Sequence, residues 1–137
     1  MKIHHRNPTL SEYNELRQMA GWPTLDPATT TKGLSNSIFS IVVEDDHDTL
    51  IGMGRVVGDG AIYLHIQDVI VRPDHRNRGI GKIIVNTLLE HIDTLGGKNT
   101  YIGLMSSKGR EAFYKQFGFT ERPNEKHGAG MTKIKDK

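Results

Sequence analysis

Gln67-Asp68-Val69-Ile70-Val71-Arg72-Pro73-Asp74-His75-Arg76-Asn77-Arg78-Gly79-Ile80-Gly81-Lys82 passes from an apolar, β-branched run through a basic turn into an amphipathic helix. A helix N-terminus carries partial positive charge and four unpaired N–H groups, so its first turn ordinarily favours Asp and Glu. Here Arg76, Arg78 and Lys82 crowd that end instead. Each such cation costs about 0.3–1 kcal/mol unless an anion lies among them, and a pyrophosphate would reverse the sign. Gly79 and Gly81 let backbone amides approach that anion closely. The stretch therefore reads as a site for a phosphorylated cofactor.

Two common phosphate loops do not fit. The dinucleotide fingerprint G-x-G-x-x-G needs a third glycine where Ile84 stands, and Walker A needs Ser or Thr after Gly81-Lys82, where Ile83 stands. What remains, Arg76-x-x-Gly79-x-Gly81 after a strand ending in Val71-x-Pro73, resembles the acetyl-CoA-binding segment of the GNAT superfamily of N-acetyltransferases. A second element, Glu111-Ala112-Phe113-Tyr114-Lys115-Gln116-Phe117-Gly118-Phe119, is similar to that family's short helix with an aromatic pair closed by Gly-Phe.

Size and composition agree with one compact domain of the ordinary soluble class. At 137 residues, 36% hydrophobic and 25% charged, one domain over residues 1–137 is expected. The N-terminal residues lack an apolar leader-like run and no stretch is apolar enough to span a bilayer, which predicts a cytoplasmic protein without a membrane partner. A net charge of +2, with no aromatics interleaved among Arg72, Arg76 and Arg78, argues against nucleic acid. With no cysteine there is no disulfide, thiolate metal site or cysteine acyl-enzyme, and the seven histidines show no ligand spacing, so no metal is expected. Any acyl transfer must use another nucleophile, most simply the substrate itself.

Along the chain, Thr9-Leu10-Ser11-Glu12 is a capping box opening a helix over about 11–20, and Asp26-Pro27 opens a second through Leu34. Strands are expected over 38–43, 50–57, 61–71 and 100–105, with two more short ones from Phe119 and near Met131. Helices are expected over 79–95, with the stripe Ile80, Ile84, Leu88, Ile92, Leu95, and over 109–117. This is an α/β layout. The resemblance implies a mixed, mostly antiparallel central sheet flanked by helices, with splayed central strands holding the cofactor.

The resemblance also implies a cofactor, acetyl-CoA or CoA, with its pyrophosphate on Arg76, Asn77, Arg78, Gly79, Ile80, Gly81 and Lys82. Its pantetheine arm would bond backbone groups of Val69, Ile70 and Val71 like an added strand. Ser107, where the family often has Asn, would cap the following helix and donate one hydrogen bond to that arm.

Attack of an amine on a thioester makes two proton demands. Keeping an alkyl amine neutral at pH 7 costs about 4 kcal/mol without a base, and the leaving thiolate departs more readily when an acid donates to sulfur. The resemblance makes Tyr114 the acid; a core tyrosine with its hydroxyl tied to backbone is the plainer alternative. Strict alternation puts His65, Gln67, Val69 and Val71 on one strand face and Ile66, Asp68 and Ile70 on the other. His65 could accept a proton directly or through water, and Gln67 could hold that water or the amine. Asp68 could serve only if a bulge intervened.

Trp22, in the connection between the first two helices, could wall the acceptor pocket or anchor a loop. Glu44, Asp45, Asp46 and Asp48 could attract a polyamine, although such a turn is usually just solvated. The reading is an N-acetyltransferase acting directly on a primary amine of a small molecule. Its alternatives are acetylation of a peptide or protein amine, and a non-catalytic CoA-binding module working through a partner. A homodimer is the assembly the resemblance brings with it.

Overall fold

The computed structural model describes all of residues 1–137. In chain order the elements are β1 (Lys2–His4), α1 (Leu10–Met19), α2 (Pro27–Ser35), β2 (Phe39–Glu44), β3 (Leu50–Gly58), β4 (Tyr63–Val71), a single 3-10 turn (Pro73–His75), α3 (Ile80–Ile92), β5 (Tyr101–Gly103) and α4 (Glu111–Lys115). The expected mixed α/β layout forms: a five-stranded sheet in the order β1-β2-β3-β4-β5, antiparallel from β1 to β4. Two compact units divide the chain, Met1–Ile102 and Gly103–Lys137. No helix is long and apolar enough to cross a membrane.

The first unit holds the core. Thr9 caps α1 with its side chain on the Glu12 N–H while the Glu12 carboxylate returns to the Thr9 N–H, the anticipated capping box. Tyr13 and Leu16 of α1 and Leu34 of α2 pack with Val42, Leu50, Met53 and Ile70 on one face of the sheet, with Ala20 and Trp22 against the edge of the cluster. Met53 and Gly54 are neighbours on β3 and so point to opposite faces. A Cβ on Gly54 would lie 2.7 Å from Ile84 and 3.0 Å from Leu88, so α3 lies close against the second face. Ile80, Ile84, Val85, Leu88 and Ile92 are buried there. Each such burial contributes about 1.5–3 kcal/mol.

Several elements differ from expectation, and β5 and α4 are both shorter than the expected 100–105 and 109–117. The strand β4 begins at Tyr63 rather than Ala61 because the Asp59 carboxylate gathers the N–H groups of Ala61, Ile62 and Tyr63 at 2.8, 2.8 and 3.0 Å into a turn. The helix α3 stops at Ile92, and the N–H groups of Thr94 and Leu95 bond three residues back, so Leu95 falls outside it. An unexpected strand, β1, pairs with β2, Ile3 opposite Val43. The two strands expected from Phe119 and near Met131 do not form; no strand follows β5.

The second unit carries α4. Phe113 meets both Tyr114 and Phe117 edge to face, at 5.0 and 5.3 Å between ring centres, and Tyr114 meets Phe119 at 6.3 Å. These contacts supply the unit's apolar cluster in place of strands.

Candidate active site

The strand β4 carries the residues on which the sequence reading turned, and strict alternation fails there. Val71 and Ile70 oppose Gly52 and Met53, whereas Gln67, Ile66 and His65 oppose Arg55, Val56 and Val57. The register slips by one, so Asp68 and Val69 together face Gly54. Asp68 stands at φ 55°, the left-handed backbone that makes such a bulge and that Asp tolerates better than most residues. The consequence corrects the predicted faces. His65 and Gln67 share the α1–α2 side with Asp68 and Ile70, while Val69 turns toward α3, its Cγ2 within 3.6 Å of a Cβ on Gly54.

What holds the bulge is ionic. The Asp68 carboxylate, 7% exposed, accepts the Tyr13 hydroxyl at 2.9 Å, Arg17 Nη1 at 3.1 Å and Arg55 Nε at 2.7 Å. Arg17 also donates to the Pro23 carbonyl from Nε and Nη2 at 2.9 and 2.6 Å, and its guanidinium lies 5.5 Å from the ring centres of both Tyr13 and Trp22. Arg55 Nη1 reaches Ser37 Oγ at 2.8 Å and the Gly33 carbonyl at 3.2 Å. Burial, with the Asp68 charge beside it, raises the Tyr13 phenol above its ordinary value, so it remains a donor. Neither Arg17 nor Arg55 stands out in the sequence; isolated arginines on α1 and β3 give no spacing signal that they share one carboxylate.

On the same side, Gln67 Nε2 lies 3.4 Å from His65 Nδ1, and the Tyr101 ring centre lies 6.1 Å from the His65 ring and 5.7 Å from that of Tyr63. Tyr63 and Tyr101 are both exposed, at 58% and 40%. The strand β5 is three residues long against nine in β4, and it joins where Tyr101 N–H donates to the Ile62 carbonyl at 2.8 Å. At about 3.3 Å per residue it spans only the first third of β4. The Val69–Val71 edge therefore has no neighbouring strand on that side.

Beyond β4 the basic turn separates into two groups. Arg72 is engaged, donating to the Leu50 carbonyl and to Glu15 at 2.8 Å each, and His75 lies between Asp74 and Asp45. Arg76, Arg78 and Lys82 are exposed and make no ion pair. Asn77 and Gly79, at φ 63° and 78°, bend the chain around Arg78. Gly79 is the N-cap of α3, no side chain caps that end, and no acidic residue lies in its first turn. Uncapped amides beside unpaired cations match a phosphate group in charge and in donors.

In the second unit, the Tyr114 hydroxyl makes no hydrogen bond to any protein group, so the plainer alternative of a backbone-tied tyrosine does not hold. Burial raises its phenol above the ordinary value, and Arg110 draws it part of the way back. Ser107 does not cap α4: the N-cap is Arg110, without a side-chain cap, and it is the Ser107 carbonyl that accepts, from the Arg110 N–H at 3.0 Å. The exposed hydroxyl is left free to donate.

Trp22 packs against the core cluster beneath Arg17, which fits the loop-anchoring role. The carboxylates of the acidic turn all have partners. Asp45 accepts the His47 and Thr49 N–H groups at 2.9 Å each, Asp46 pairs with the Met1 ammonium, Asp48 with Lys2 and Glu44 with His4.

The family model for the acetyltransferase (GNAT) domain matches residues 36–121. An uncharacterised N-acetyltransferase of Pyropia yezoensis is 27% identical over 88% of this chain and 70% of its own length. A glucosamine 6-phosphate N-acetyltransferase of Schizosaccharomyces pombe is 30% identical over 65% of this chain and 85% of its own. Among solved structures, a protein of unknown function from meticillin-resistant Staphylococcus aureus, described as a probable acetyltransferase, superposes with a TM-score of 0.86 at 29% identity, covering 97% of this chain and 98% of that one.

Proposed function

This chain belongs to the GNAT family of acetyltransferases, and we propose that it transfers the acetyl group of acetyl-CoA directly to a primary amine of a small molecule. The observation that carries the cofactor assignment is the N-terminus of α3: an uncapped helix end with Gly79 in the left-handed region and Arg76, Arg78 and Lys82 unpaired. Arg76, Asn77, Arg78, Gly79, Ile80, Gly81 and Lys82 would hold the pyrophosphate. The free Val69–Val71 edge would hydrogen-bond the pantetheine arm as a strand would, and Ser107 would donate one further bond. Residues 1–137 act in this reading as one domain, in support of which the family match runs across both compact units.

Acetyl-CoA, when bound, supplies the thioester. His65, directly or through a water held by Gln67, takes the proton that the amine must lose as its C–N bond forms. Tyr114 donates a proton to sulfur as the C–S bond breaks, and its raised phenol keeps that proton available through neutral pH. The experiment is calorimetric titration with acetyl-CoA beside CoA release across a panel of amines. Micromolar binding that Gly81→Asp abolishes, with amine-dependent release, is expected. Binding without release for any acceptor would favour the non-catalytic module, and unimpaired binding by Gly81→Asp would displace the pyrophosphate from this turn.

A further inference from the structure

The cluster around Asp68 is unbalanced: two guanidinium groups share one carboxylate. We infer that Arg55, aided by Arg17, recognises an anionic group, phosphate or carboxylate, that the acceptor carries beside its amine; this rests on the acyl-transfer reading above.

A guanidinium has five N–H donors. Arg17 commits Nε, both Nη1 hydrogens and one Nη2 hydrogen to Pro23, Asp68 and Tyr13. Arg55 commits Nε to Asp68 and Nη1 to Ser37 and Gly33, and its Nη2 has no protein acceptor. The two side chains are 14% and 15% exposed, so the surplus charge is poorly solvated yet reachable. Two poorly solvated cations sharing one counter-ion are under-compensated, and an arriving anion offsets the surplus while using the free donors.

Location gives the surplus its meaning. Arg55 is the register partner of Gln67, which lies beside His65, so the free guanidinium edge and the groups that would handle the amine occupy neighbouring strands on one face. Directly opposed residues lie only about 4.5–5.5 Å apart at Cα. An acceptor spanning both would therefore be a small molecule carrying amine and anion together, and the exposed rings of Tyr63 and Tyr101 lie on the His65 side of that face. A polycation is disfavoured, since it would meet this surplus positive charge.

The test uses matched acceptors: glucosamine 6-phosphate against glucosamine, an amino acid against its amide, and spermidine. CoA release is followed for wild type, Arg55→Lys and Arg55→Met, with acetyl-CoA affinity measured calorimetrically on the same preparations. Wild type should prefer the anionic member of at least one pair by about ten- to a hundredfold in kcat/KM, the range a charge-assisted contact gives. The pair that shows it tells phosphate from carboxylate. Arg55→Met should reduce the preference to within about threefold and Arg55→Lys should retain part of it. Because the ratio is taken within each preparation, loss of folded protein cancels. Equal or reversed preference in wild type, fastest turnover of spermidine, or a preference untouched by Arg55→Met would overturn the inference while leaving acetyl transfer intact. Failure to bind acetyl-CoA would overturn both.

Discussion

Asp68→Asn replaces a buried carboxylate by an amide of nearly the same shape. Asparagine is also at home at positive φ, so the backbone at 55° is held constant and charge becomes the variable. The native Oδ2 takes two donors, Tyr13 and Arg55, and Oδ1 takes Arg17. The amide keeps its one oxygen where two donors converge and turns its NH2 toward Arg17 Nη1, donor against donor. Removing one side of a buried ion pair costs about 3–5 kcal/mol. Arg17 keeps its bonds to Pro23 and is 14% exposed, which lowers the expectation to about 2–4 kcal/mol. Set against a total stability of about 5–15 kcal/mol, that lowers Tm by roughly 8–16 °C. Urea denaturation at pH 7, comparing midpoints at unchanged m, measures it. Asp68→Ala should lose more, since alanine adds the strain of left-handed backbone. A loss below about 1 kcal/mol for Asp68→Asn would refute the account, because the arginines would then be solvated rather than held by this carboxylate.

Tyr114→Phe should lower turnover about ten- to a thousandfold with acetyl-CoA affinity nearly unchanged. Since burial raises this phenol, no alkaline limb of the wild-type rate should arise from it below about pH 10; a limb near pH 8 that disappears in the variant would contradict the role. Gly54→Ala would place a Cβ 2.7 Å from a methyl of Ile84 on the buried face of α3, and should cost about 1–3 kcal/mol in urea unfolding; a neutral result would mean that α3 rides less closely on β3. Glu12 accepts from Arg6 and from the Thr9 N–H, and these bonds hold its carboxyl below the usual glutamate value. Its contribution is thus complete above the unfolded value of about 4.3 and fades as pH falls through the lower folded one. The stability gap between wild type and Glu12→Gln should be present at pH 7 and shrink at pH 3, whereas a gap independent of pH would place the effect elsewhere.

Local chemistry was legible in the sequence wherever neighbours along the chain decide the outcome. The Thr9–Glu12 box, the Asp26-Pro27 helix start, the Ile80–Ile92 stripe and the cation-crowded glycine turn rest on contacts within a few residues, and each forms as read. The family resemblance rests on the same kind of short segment. Tertiary structure decided the rest. The strand β1 exists because β2 offers Lys2–His4 an edge, which three residues cannot announce. The bulge at Asp68 exists because Tyr13, Arg17 and Arg55, up to 55 residues away in sequence, converge on one carboxylate. A period-two reading assumes every residue takes extended backbone; one left-handed residue shifts all that follow to the other face. That single shift moved Val69 and Val71 away from His65 and Gln67 and brought the Asp68 carboxylate onto their face, where Arg17 and Arg55 bind it, because long-range hydrogen bonds to a buried charge outweighed the local preference for a regular strand.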